Sequence, residues 1–393
     1  MKGKVKKQKK GISLIVLVIT IIVMIILATA IILSLTNSGI IGKANKAKTE
    51  SDKANLKEYV NTLQAEWELM TETERGNQTF EQYANSKLEE KGYSKAAVGV
   101  DGEVYSNLNE SAKTAIVAGI KVGDTVTGYT VTEKSYTTSG NENTGDLNTY
   151  LPKDPTPQTI DSNTTVTWKY IGIGEDGSLE IAADVKSTSP KMTLSGKGGY
   201  LNGPAELDKA CAALYSVEGK GTAKNINIDH VTRILGYTGE KGAYYKSPDG
   251  DYIPTDEAMT IGEIETKLGT TFGSRETPDG KDITTYKADF YQIDKTNDVK
   301  EMQNAENVGL VYPANSNIGY WLASSCVTAS FYDDCAYFGV RRVVSTHVGN
   351  NSMYYSYSGS GSYGYAYALR PVVSLASNIQ ITEGTDAGTW TVN

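Results

Sequence analysis

Two cysteines and two aspartates in the C-terminal third are the first places where residue type and spacing suggest chemistry. Cys326 and Cys335 are separated by eight residues, and Asp333 and Asp334 directly precede the second thiol. That spacing suits a disulfide closed across two adjacent strands or a loop, and equally suits two unpaired core or loop cysteines. The acidic pair offers two oxygens to a cation such as calcium, but no further oxygen ligands follow at fixed spacing, so solvated loop carboxylates are expected. Cys211 falls on an apolar stripe with Leu207, Ala210 and Leu214, with no nearby base to activate it, and reads as a buried structural thiol. With only two histidines, His230 and His347, no Ser/His/Asp arrangement presents itself. Residues 172 to 177 spell Gly-Ile-Gly-Glu-Asp-Gly, the letters of a dinucleotide fingerprint. The segment after them, Ser178 to Asp184, is strand-like rather than the helix a pyrophosphate needs, so Asp176-Gly177 is expected as a hairpin turn. Catalytic residues, cofactors and metals are therefore not expected, and the chain does not read as an enzyme.

Recognition is the better-supported chemistry. The chain holds 26 tyrosines against 5 phenylalanines, with 39 glycines. From Asn350 to Tyr367 nearly every residue is Tyr, Ser, Gly, Asn or Ala, a vocabulary that combines rigid amphipathic area with adaptable hydrogen bonding. A low-complexity loop, or tyrosines alternating on an exposed sheet, would give the same letters. The tract is framed by the apolar strands YWLASS, AYFGVRRVV and ALRPVVSL, and the frame favours a recognition surface.

The elements that must hold this surface are mostly strands. From Gly119 onward, period-two segments alternate with turns, as in IKVGDTVTGYTVTEKSY, TVTWKYIGI and SLEIAAD. Short helices interrupt them: one from Pro204, one from Asn227 through Leu235 with His230 on its polar side, and one opened by Thr260 and Glu263 and closed by Gly269. Upstream, Leu56, Tyr59, Val60, Leu63, Trp67 and Met70 recur at helical spacing, and Thr79 with Gln82 reads as a capping box for a helix ending at Gly92. Ile12 to Leu35 is an apolar run without charge, preceded by six lysines and no acid within residues 1 to 10. As a helix it is long enough to cross a bilayer, with the leader inside and the bulk outside. A plain anchor or a signal peptide are alternatives, the run being longer than a usual signal core. The net charge is −8, and beyond residue 10 the chain has 32 basic against 46 acidic side chains, which excludes nucleic-acid binding by charge.

The lysine leader ending in Gly11 before Ile12-Ser13-Leu14-Ile15 resembles a type IV prepilin leader. That resemblance implies cleavage by a prepilin peptidase after Gly11 and N-methylation of Ile12. Val16 stands where pilins usually carry a glutamate for docking. The stretch KKGISLIVLVITIIVMIILATAIIL with NSGIIGKANKAK is similar to pilin-like surface proteins of Gram-positive bacteria that also lack it. The outer segments, from GIKVGDTVTGY to LRPVVSL, resemble the domain that often follows such a leader, with frames similar to C-type-lectin-like or formylglycine-generating-enzyme-like folds. Some proteins of that fold carry tracts diversified by a retroelement, and those of the enzyme type hold copper with a cysteine pair.

The resemblance implies an α+β protein: a long N-terminal transmembrane pilin-like helix followed by a β-rich C-type-lectin-like outer domain. The expected organisation is a leader (1–11), a transmembrane and extended helix (12–77), a small helical adaptor (78–118), an outer domain (119–381) and a tail (382–393). Trp321, Leu322, Gly339, Arg370 and Pro371 would be framework. The ligand-binding face would comprise Tyr332, Asp333, Asp334, Tyr337, His347, Asn350, Asn351, Tyr354, Tyr355, Tyr357, Tyr363, Tyr365 and Tyr367. The expected function is a membrane-anchored, adhesin-type surface protein with an extracellular ligand. The alternative is a structural minor pilin or pseudopilin that meets only sister subunits.

Overall fold

The computed structural model describes residues 40–136, 158–160, 166–239, 244–255, 258–289, 292–356 and 365–393, and the chain separates into two units, Met1–Phe80 and Glu81–Asn393. The described part of the first unit begins with helix α1 (Ile40–Leu69), followed by the short α2 (Glu72–Arg75). Here the expected fold class needs correction. α1 carries Lys43, Lys46, Lys48, Lys53, Lys57 and five acidic residues along its length, and among the described residues no helix is long and apolar enough to cross a membrane. The apolar run from Ile12 to Leu35, with the processing residues Gly11 and Ile12, lies outside the described residues. On α1, Leu56, Val60, Leu63 and Trp67 are buried at the helical spacing read from the sequence. Its end is capped by Arg75, whose guanidinium donates to the Trp67 and Glu68 carbonyls at 3.0 and 2.9 Å and lies 5.5 Å from the Trp67 ring centroid. α2 opens on a reciprocal capping box between Thr71 and Glu74.

The second unit opens within helix α3 (Phe80–Lys91). The chain continues through β1 (Ala97–Val98), β2 (Val104–Tyr105), α4 (Glu110–Ala118), β3 (Thr125–Thr127), β4 (Lys134–Tyr136) and β5 (Gln158–Ile160). Next come β6 (Trp168–Ile173), β7 (Leu179–Ala183), β8 (Lys191–Leu194), α5 (Gly196–Tyr215), β9 (Gly221–Asn225) and α6 (Ile228–Leu235). After these stand β10 (Tyr244–Lys246), β11 (Tyr252–Pro254), α7 (Ile261–Leu268), β12 (Ile293–Asp294), α8 (Val308–Val311), β13 (Tyr320–Ser330), β14 (Cys335–Val343) and β15 (His347–Tyr355). The last strands are β16 (Tyr365–Ala368), β17 (Pro371–Leu375), β18 (Ile381–Glu383) and β19 (Thr389–Val392). One sheet runs β18-β19-β3-β6-β7-β17-β9, with β19 and β3 parallel. The other runs β11-β10-β13-β14-β15-β12, with β16 beside β13 and β8 beside β16. The α+β character expected from the alternating segments is present; residues 382–393, read as a tail, include β19 inside the first sheet, where the Trp390 indole donates to Asp124 at 2.8 Å.

β7 is buried along its whole length, so Leu179 to Ala183 reads as a continuous apolar run broken by one acid, Glu180. The Asp176-Gly177 turn joins it to β6, with Gly177 at φ +80°, so the fingerprint letters fold as a hairpin. Glu180 is buried against Arg233, Lys224 (3.2 Å) and the His230 Nε2 (3.5 Å). Its carboxyl is pulled upward by burial, but the hydrogen bond from His230 and the Arg233 charge outweigh this and hold it well below the carboxylate range. His230, expected on a polar surface, is thus 4% exposed; its Nδ1 accepts from the Asn227 N–H at 3.1 Å, completing a capping box.

α5 begins eight residues before Pro204, against the sequence expectation. Its glycine-rich first turns are poor helix formers in isolation, but they pack tightly on β8: a Cβ added at Gly203 would lie 3.0 Å from Leu194. Pro204 lacks the N–H that would bond the Tyr200 carbonyl, and that carbonyl instead accepts from the Ser325 hydroxyl of β13 at 3.2 Å. α5 lies in one core with Trp168 and Trp321, while α6 and α8 pack in a second with Tyr320 and Leu322.

The two sheets are joined where β16 passes into β17. Arg370 donates to the Ala183 carbonyl (3.0 Å), the Tyr320 hydroxyl (2.7 Å) and the Leu310 carbonyl. Asn225 donates to the Trp321 carbonyl (2.8 Å) and accepts from the Arg370 N–H (3.0 Å), and the Trp321 indole donates to the Met192 carbonyl (2.8 Å). Trp321, Leu322 and Arg370 are buried, and Pro371 opens β17. Gly339 stands at a bulge between β14 and β15, where a Cβ would lie 2.8 Å from the Asn351 carbonyl oxygen.

Candidate recognition surface

The turn from Phe331 to Asp334 closes the β13–β14 hairpin, and its tip is held rigidly from below. The Phe331 ring stacks on Phe272 at 4.5 Å and meets Tyr245 edge-on at 6.2 Å, while its N–H donates to the Lys246 carbonyl at 2.8 Å. Asp334 adopts a left-handed φ of +52°, and its carboxylate accepts from the Gly273 N–H at 2.8 Å. With both ends of the turn pinned, Tyr332 projects outward at 59% exposure.

Around Tyr332 lie groups from two hairpins. The Lys246 ammonium stands 4.2 Å from the Tyr332 ring centroid and 5.9 Å from that of Tyr252, itself 43% exposed. The same ammonium is 3.5 Å from the Asp333 carboxylate, which accepts a 2.5 Å hydrogen bond from Ser330. Partial burial pulls the Asp333 carboxyl upward, but hydrogen bonds from Ser330 and Tyr337 and the Lys246 charge prevail, holding it below its ordinary value. Tyr337 and Tyr355 are register partners on β14 and β15 and meet edge to face with centroids 5.1 Å apart. Burial, followed by hydrogen bonds to Cys335 and Asp333, pushes the Tyr337 phenol far up. Gly250 lets the β10–β11 turn pass beneath Tyr332: its φ is +97°, and an added Cβ would meet that ring at 3.3 Å.

Of the residues expected on a ligand face, the structure brings together Tyr332, Asp333, Asp334, Tyr337 and Tyr355. Tyr354 points the other way, into the core, at 1% exposure, with its ring against Phe338 and its hydroxyl donating to Glu276 at 3.1 Å. Asn351 is buried and accepts from Arg342 at 2.7 Å, and Asn350 is half-buried in mid-sheet opposite Arg341. His347 begins β15, at the end of that strand remote from Tyr355, where burial and the Arg342 charge lower its pKa. Tyr365 and Tyr367 stand on β16, where Tyr367 meets Trp321 edge-on at 4.8 Å. Tyr357 and Tyr363 lie outside the described residues.

Sequence reading missed Lys246, Tyr252, Gly250 and Gly273, which reach the hairpin from residues 244 to 273. The signal that could have found the first three is Asp249-Gly250 between tyrosine-bearing strands, a short-range hairpin pattern. The open question of the cysteines is answered by register. Cys326 pairs with Gly339 and Cys335 with Ser330, so the thiols lie four ladder positions apart, roughly 13 Å. A disulfide cannot span that distance, and both thiols are free and buried. Burial pushes each up to about 11. Among the described residues no group of three or more His, Cys, Asp or Glu side chains is placed to hold a metal ion. Comparison of the chain with protein-family models, with curated proteins and with solved structures finds no match.

Proposed function

We propose that the second unit is an extracellular recognition domain of adhesin type, which binds its ligand with the hairpin end built from Tyr332, Asp333, Tyr337, Tyr355, Lys246 and Tyr252. The observation that carries this reading is the pairing of two exposed tyrosines, Tyr332 on a turn whose backbone is fixed by Phe331 and Asp334, and Tyr252 at the start of β11, paired there with Lys246. Rigid, solvent-facing aromatic area with polar tips binds at low entropic cost. A mobile tail would have to be ordered first. Display at the cell surface after prepilin-peptidase cleavage between Gly11 and Ile12 completes the proposal, with pilin or pseudopilin subunits as neighbours in the envelope.

The test compares cells displaying the full chain with cells displaying the Tyr332→Ala, Tyr337→Ala, Tyr355→Ala triple variant, scored for retention on arrays of immobilised glycans and extracellular proteins. Retention by the parent chain on at least one target, reduced tenfold or more in the variant with an unchanged thermal melt, supports recognition. Equal retention by both sinks it. Loss of surface assembly with no change in retention per displayed molecule favours the structural-subunit alternative.

A further inference from the structure

The hairpin end contains an arrangement suited to holding a cation, and one of the chain's own side chains occupies it. Two tyrosine faces and a carboxylate surround the Lys246 ammonium, at 4.2 and 5.9 Å from the ring centroids and 3.5 Å from Asp333. Aromatic faces attract cations through the ring quadrupole, and a nearby carboxylate adds direct charge. The Lys246–Asp333 separation exceeds the roughly 2.7–2.9 Å of a strong charge-assisted pair, so the occupant is loosely held. The carboxylate keeps its orientation without the lysine, because Ser330 donates to it at 2.5 Å. Asp249 and Asp251 flank Gly250 on the neighbouring turn, so four exposed carboxylates, with Asp333 and Asp334, stand on the two turns that meet at Tyr332. Residues 81 to 393 carry 26 basic against 39 acidic side chains, a balance that draws cationic partners.

We propose that the ligand of this surface presents a lysine ammonium or arginine guanidinium on a partner protein, and that this cation binds by displacing Lys246 from between Tyr332, Tyr252 and Asp333. The inference rests on the recognition reading and names the chemical class it would take. Lys246 then acts as a tethered competitor: it shields the tyrosine faces in the unbound state and weakens the apparent affinity, because every binding event must first expel it. Its backbone carbonyl, which holds Phe331, plays no part in the exchange.

Isothermal titration calorimetry with arginine amide as the probe tests this on the full chain. Lys246→Met keeps the aliphatic stem and removes the competing charge; it is expected to bind the probe about tenfold more tightly than the parent, equivalent to about 1.4 kcal/mol. Adding Tyr332→Ala or Asp333→Asn to that variant is expected to reverse the gain, with an unchanged circular-dichroism melt as the control for folding. Unchanged or weaker binding by Lys246→Met overturns the proposal. If it does so while the tyrosine triple variant still loses retention on its target, the ligand is uncharged or anionic and the recognition reading stands; if both experiments fail, both readings fall.

Discussion

Tyr320 and Tyr332, at opposite ends of the same hairpin strand, each lie beside a cation, and they could hardly be held more differently. Tyr320 is fully buried: its hydroxyl donates to the Val311 carbonyl and accepts from Arg370, whose guanidinium also stands 4.8 Å from the ring centroid. Tyr332 is exposed beside Lys246, which makes one long ion pair. Arginine presents a planar fork of donors that can satisfy several acceptors at fixed angles; lysine is a point charge on a flexible stem. The closed pair joins two sheets, whereas the open pair has freedom to exchange partners. Tyrosine content alone therefore says little about a binding face; what sits over the ring, and how many bonds fix it, says more.

The sharpest way to break this contrast is Arg370→Met. It leaves the Ala183 carbonyl and the Tyr320 hydroxyl buried, and the Leu310 carbonyl half-buried, without their donor, and is expected to cost about 3–5 kcal/mol in urea unfolding. Lys246→Met should fall within about 0.5 kcal/mol of the parent. Similar losses at the two positions would show that the open pair is structural after all.

A smaller and pH-dependent loss is expected at Glu180→Gln, about 3 kcal/mol at neutral pH, since it strips a buried anion from Arg233, Lys224 and His230. The sign follows from the depressed folded pKa of Glu180: its stabilisation is fully present above the unfolded value near 4.3 and is lost as pH falls through the folded one. The gap between parent and variant should therefore narrow steadily below about pH 4. A gap that stays constant from pH 7 to pH 3 would refute the assignment.

Ser325→Ala is milder than either change at Arg370 or Glu180, about 1 kcal/mol, because it removes the donor to the Tyr200 carbonyl that Pro204 leaves open. Restoring a helical N–H with Pro204→Ala in the same chain should recover part of that loss. Absence of any coupling between the two changes in a double-mutant cycle would mean that the Ser325 hydroxyl is not what satisfies this carbonyl.

What was legible in the sequence was what local rules decide. Thr260 and Glu263 form the capping box they spell, Gly269 closes that helix in a left-handed conformation, and Asp176-Gly177 turns the β6–β7 hairpin. The burial of His230 is not legible in its helix, which shows only its own stripe of Ile228, Val231 and Leu235, because the acid it meets, Glu180, arrives from a strand fifty residues away. α5 starts earlier than its sequence suggests because the glycines that depress its helix propensity are those that let it approach Leu194. Within the tyrosine tract, neighbours such as Tyr354 and Tyr355 must face opposite sides of their strand, but which side meets the core depends on the β14–β15 bulge, a feature of pairing rather than of composition. The membrane-spanning helix expected with the fold is not among the described residues, and the charge pattern of α1 shows why that helix cannot supply it.

β3 is zipped on one side to β19, with Thr127 bonding to Thr391 across 264 positions of sequence. Closing a loop of that size is entropically slow, and high contact order of this kind lengthens folding times. A chain emerging N-terminus first therefore shows an unpaired β3 edge while almost the whole second unit is still being made. Until β19 arrives, that edge is a template for mispairing with another copy. The demand this places on the cell is one of timing: β3 needs cover during synthesis, in a sheet other than the one whose hairpin is proposed to meet the ligand.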